Sequence, residues 1–66
     1  MAVKHPEITV ELVGHDGNAF SILARCWAAA RRANLPADEI SAFMAEASAG
    51  DYNHLLATAM TWFNVI

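Results

Sequence analysis

From Asn18 to Ala33 the apolar residues are spread around most of a helix instead of keeping to one narrow stripe. At 100° per residue, Phe20, Ile22, Leu23, Cys26, Trp27, Ala29, Ala30 and Ala33 fill well over half the circumference. Ser21, Arg25 and Arg32 share the one polar stripe. A helix apolar over that much of its surface is normally covered on more than one side, so the pattern predicts a central helix. Ahead of it, Glu7 to Val13 alternates, with Ile8, Val10 and Leu12 on one face and Thr9 and Glu11 on the other. That period of two predicts a half-buried strand. Gly14, His15, Asp16 and Gly17 then break the pattern as a tight turn, and Asp16 or Asn18 is placed to cap the helix.

The end of the central helix is marked by Asn34, Leu35 and Pro36. Asn34 tolerates the left-handed conformation, Leu35 can supply the accompanying apolar contact, and Pro36 cannot continue the helix. Pro36 can open a second helix instead, with Asp38 and Glu39 in its first turn favoured by the helix dipole. There Ile40, Phe43, Met44 and Ala47 fall at i, i+3, i+4 and i+7, a narrow stripe that leaves one side to solvent. Gly50 ends that helix and Asp51 caps a third. Leu55, Leu56, Ala59, Met60, Trp62 and Phe63 form the third helix's apolar side, with His54, Thr58 and Thr61 opposite. Residues 63–66 have strand character and can pair with residues 8–13, within the chain or across a dimer. The expected fold class is α+β: an N-terminal strand, a three-helix core, and a short C-terminal strand pairing with the first. Phe20, Leu23 and Trp27 are expected to pack on Ile40, Phe43, Leu55, Leu56 and Met60. Trp27→Ala should then cost about 3–5 kcal/mol.

Sixty-six residues predict one small domain, with residues 1–6 a frayed lead. Charged residues make up 17% of the chain, against about 25% in an average soluble domain, which leaves little polar cover and favours association. The net charge of −3 is unevenly placed. Lys4, Arg25, Arg31 and Arg32 outnumber Glu7, Glu11 and Asp16 in the first half. The second half holds Asp38, Glu39, Glu46 and Asp51 with no Lys or Arg. The sequence shows no membrane-length apolar run and no signal-peptide pattern, so a cytoplasmic protein is expected. The single Cys26 excludes an internal disulfide and reads as a buried, inert thiol.

Candidate chemistry is sparse. A strand, then Gly14 to Asn18, then a helix start has the geometry that cradles phosphate, but the spacing matches no phosphate-binding motif. His5, His15 and His54, with Asp16 and Asp51, lack the i, i+4 spacing of metal ligands on a helix. Three arginines without interleaved surface aromatics are a weak nucleic-acid footprint, and pairing with Asp38, Glu39 or Glu46 explains them better. No cofactor is expected. The strongest asymmetry is the acidic one: Asp38, Glu39, Glu46 and Asp51 form the candidate partner-binding surface, suited to a basic groove on a protein or nucleoprotein complex. Reversing Asp38, Glu39 and Glu46 to Lys should slow association without unfolding the domain.

Residues 8 to 63 resemble a family of small bacterial and phage-associated proteins. The shared pattern is Val13-Gly14, Asp16 to Phe20, Phe43 with Glu46-Ala47, and Gly50-Asp51-Tyr52 before Leu55-Leu56. Relatives tend to carry Gly at the position of Asn34 and more basic residues where this chain has Cys26 to Ala30. The resemblance brings no reaction or cofactor. A small acidic protein of this kind is similar to inhibitors of host defence complexes such as anti-CRISPR proteins. The resulting expectation is a non-enzymatic protein-binding inhibitor. The alternatives are an anion-, nucleotide- or metal-binding module using residues 14–18 with His15 and His54, and a structural homodimer joined through its terminal strands.

Overall fold

Asn18 opens the central helix as its N-cap, its side-chain oxygen accepting from Phe20 N–H at 2.8 Å. The computed structural model describes residues 3–12 and 17–66, in which β1 (His5–Val10), α1 (Ala19–Arg32), α2 (Ala37–Ala47), α3 (Tyr52–Trp62) and β2 (Phe63–Val65) follow one another. The expected end of the first strand at Val13, and the turn formed by Gly14, His15 and Asp16, lie outside the described residues. So do residues 14–16 of the phosphate-cradle reading and any role of His15.

The termini of the helices follow from local chemistry. Asn34 takes a φ of 63°, the left-handed conformation. Around it Asn34 N–H bonds Arg31 O and Leu35 N–H bonds Ala30 O, both at 3.0 Å, which satisfies carbonyls left free at the end of α1. Pro36 sits one residue earlier than expected, as the N-cap of α2, with its carbonyl accepting from Glu39 and Ile40 N–H. Asp51 caps α3 by accepting from His54 N–H at 2.9 Å. α3 gives way to strand without a linker, Trp62 closing the helix and Phe63 opening β2.

The expected α+β architecture is the observed one: β1 and β2 form a two-stranded parallel sheet within the chain, and the three helices make the crossover between them. His5 pairs with Phe63, Thr9 with Asn64 and Val10 with Val65, with an irregularity between the first two pairs. The alternation read from the sequence holds, with Ile8 and Val10 buried and Thr9 and Glu11 exposed. β1 starts at His5, inside the stretch expected to fray. Lys4 N–H also bonds Thr61 O at 2.9 Å, so the lead is tied to the end of α3.

One core joins Ile8 and Val10 to Ile22, Cys26 and Ala30 of α1, Ile40, Phe43 and Ala47 of α2, and Leu55, Ala59, Trp62 and Phe63. Phe43 lies at its centre, 5.0 Å from Phe63 and 5.4 Å from Trp62 between ring centroids. The expected orientation of α1 is overturned. Phe20 is 81% and Trp27 43% exposed, and only Leu23 of the three expected core residues packs on the core. When a helix is apolar nearly all round, its pattern does not say which arc faces in. The arc with small residues, Cys26, Ala29 and Ala30, lets the backbone approach β1 and α2 closely, and the bulky rings are left outside. Met60, expected inside, is also exposed at 61%. Thr58, expected outside, is buried, because its hydroxyl donates to His54 O at 2.8 Å and enters the core already satisfied.

Phe43→Ala should therefore cost about 3–5 kcal/mol and leave so small a domain largely unfolded. Trp27→Ala should cost about 1 kcal/mol or less. Urea denaturation of the two variants checks this, and equal losses would contradict the orientation of α1.

Candidate functional site

The four carboxylates singled out by charge are all on or beside α2, but the fold has already engaged most of them. Glu39 and Glu46 are two turns apart on one flank of the helix. Glu39 Oε1 accepts from His5 Nε2 at 3.1 Å, and His5 Nδ1 is 3.6 Å from Glu7 Oε2. Glu46 Oε2 accepts from Trp62 Nε1 at 2.9 Å. Asp51 is the cap of α3. Asp38, exposed in the first turn of α2, is the carboxylate of the four to which no internal role falls.

Around Glu39 and Glu46 stands a cluster that the sequence did not suggest. His5 lies 5.9 Å from Trp62 and 6.3 Å from Phe63 between ring centroids. Lys4 Nζ sits 4.0 Å over the Trp62 ring. Trp62 is thus held at three points: its N–H by Glu46, one ring face by Lys4, and a T-shaped contact with Phe43. The arginines expected to pair with Glu39 and Glu46 are replaced by a histidine and an indole from the chain ends. Reversing Glu39 and Glu46 to Lys would therefore break internal contacts as well as change surface charge. Leaving the buried Trp62 N–H without an acceptor alone costs about 1–3 kcal/mol. The expectation that the triple reversal spares the fold does not survive.

His54 is committed in the same manner. Its Nε2 donates to Glu46 O at 2.7 Å, and its ring lies so close over Gly50 that an added Cβ would fall 2.7 Å from Cγ. Here Gly50 is required by a close approach. His5 and His54 belong to different clusters, and among the described residues no group of three or more His, Cys, Asp or Glu is arranged to hold a metal. Burial pushes the Cys26 thiol up to about 11, by penalising the thiolate.

Among the described residues, the outer side of α1 is a surface with no internal role. Phe20, Ala24, Trp27 and Arg31, at i, i+4, i+7 and i+11, form one exposed stripe to one side of the buried Ile22–Cys26–Ala30 arc. The Arg31 guanidinium lies 5.2 Å from the Trp27 ring centroid. Beside the stripe, between α1 and α2, runs a groove lined by Trp27, Arg31, Leu35, Ile40 and Ser41. The sequence carried a signal for this face, since four such positions share one arc. The assumption that every large apolar residue faces inward hid it.

A thiol held protonated only in the folded state stabilises it below the unfolded thiol's ordinary range, and that contribution is lost as pH rises through the folded value. Stability should fall between about pH 9 and 11 by about 1.4 kcal/mol per unit of separation. Cys26→Ala should be destabilised at neutral pH yet lack that part of the slope in urea titrations. An unchanged slope would contradict the burial of the thiolate's site.

No protein-family model, curated protein or solved structure matches this chain.

Proposed function

We propose that this chain is a small non-enzymatic protein-binding module whose contact surface is the outer face of α1. The observation that carries this reading is Phe20, 81% exposed and aligned with Trp27 and Arg31 on one helix arc. Exposing such a ring forfeits about 1.5–3 kcal/mol of burial. Trp and Arg are also among the residue types that dominate binding energy at protein interfaces. Among the described residues, the titratable groups singled out for chemistry are spent on the fold: His5 on Glu39, His54 on Glu46 O, Asp51 on a cap, Cys26 in the core. The acidic flank of α2 is the lesser candidate, because Glu39 and Glu46 are engaged with His5 and Trp62. Resemblance to phage-associated proteins adds a role to this reading, the blocking of a host defence complex of the CRISPR–Cas kind.

Affinity capture from a bacterial lysate, with the tagged wild type beside Trp27→Ala and Asp38→Lys, tests the choice of surface. Proteins held by the wild type should be lost with Trp27→Ala and retained with Asp38→Lys, with little weakening at raised salt. Retention by Trp27→Ala and loss with Asp38→Lys would move the site to the acidic flank.

A further inference from the structure

We propose that the outer face of α1 is self-complementary and that its occupant is a second copy of this chain, packed antiparallel about a twofold axis. The inference rests on the reading of that face as protein-binding and names what binds there. A projection lies at one end of the stripe and a hollow beside its other end. Phe20 projects at one end of α1, and at the other end the open groove between α1 and α2 offers the Trp27 ring and Leu35 among polar neighbours, Arg31, Asn34 and Ser41. A surface that carries both parts, spaced along one helix, can satisfy itself twice about one axis, which is the isologous arrangement of a closed dimer.

The register follows from residue sizes. With the axis passing midway between Ala24 and Trp27, the large Trp27 of one copy covers the small Ala24 of the other. Phe20 then reaches Arg31 and the groove of the second copy. The guanidinium that now leans on Trp27 gains a second aromatic face in Phe20. The antiparallel sense also keeps like charges apart. The two Arg31 residues lie about 16 Å from each other along the helix axis, beyond the roughly 8 Å screening length at physiological salt. A parallel pairing would set them side by side.

A specific interface buries about 1,000 Å² or more in total, so roughly 500 Å² per copy. The chain exposes 4199 Å². The exposed parts of Phe20 and Trp27 supply roughly half of what each copy needs, and Ala24, Ala28, Arg31 and the groove walls lie around them. A low content of charged residues, 17%, removes the usual barrier to such contact. A foreign protein using the same face would have to displace the second copy.

Sedimentation equilibrium of the full chain, from low micromolar to submillimolar loading, tests the proposal. The molar mass should rise from 7.2 kDa towards twice that value, and the transition should persist at high salt. Phe20→Ala, whose side chain is outside the core, should keep the wild-type circular dichroism spectrum and raise the dissociation constant at least about tenfold. Arg31→Glu should weaken pairing as well. A wild type that stays at 7.2 kDa at every loading overturns the proposal, as does a Phe20→Ala variant that dimerises like the wild type. If the chain is monomeric while Trp27→Ala still loses captured proteins, the α1 face binds a foreign protein, and only the self-pairing is lost.

Discussion

A buried indole N–H must find an acceptor, and in this chain that single requirement settles what much of the charged surface is for. Trp62 is 3% exposed at the junction where α3 becomes β2, and Glu46 of α2 supplies the acceptor at 2.9 Å. The same ring receives Lys4 on its face and packs on Phe43, while its neighbour Phe63 enters the sheet beside His5. His5 in turn holds Glu39. The N-terminal strand, the C-terminal strand and one flank of α2 are thus fastened through one aromatic group. What remains free to meet a partner is decided by what this fastening leaves over.

Most of the architecture was legible because the local signals agree with one another. Alternation gave β1, the Asn34-Leu35-Pro36 sequence gave the break after α1, and Asp51 gave the start of α3. Residues 63–66 read as a strand with a natural mate in β1, and the two do pair. The rotation of α1 was the part that could not be read. Its apolar positions cover so much of the circumference that tertiary packing, favouring the small Cys26–Ala30 arc, had to choose the buried side. Thr58 and Met60 were misplaced for a related reason. Polarity assigns a face only where the group lacks a local hydrogen bond or a competing neighbour, and Thr58 has the former.

The candidate site was less legible. Charge counting found Asp38, Glu39, Glu46 and Asp51, all of them on or next to α2 as expected, but it could not see the acceptor role of Glu46 or the pairing of Glu39 with His5. Those contacts join residues 16 and 34 positions apart, beyond any spacing rule. Phe20 and Trp27 were visible on one arc but were assigned to a core that did not need them, and Arg31 was read only as a charge. A chain with surplus apolar surface and few charges has to place the surplus somewhere: Phe20 and Trp27 share one side of α1, while Met60 and Ile66 are exposed elsewhere.

The two tryptophans make the central claim, that the outer face of α1 is the working surface, directly observable in one spectrum. Trp27 lies on that face and Trp62 in the fastened junction, so their indole N–H resonances report the two regions separately. In a concentration series of two-dimensional nitrogen–proton spectra, the Trp27 indole peak and the amides of Phe20 to Arg31 should move together while the Trp62 indole peak stays in place. A stationary Trp27 peak would remove the self-pairing, and movement centred on Trp62 and the amides of Asp38 to Glu46 would contradict the account.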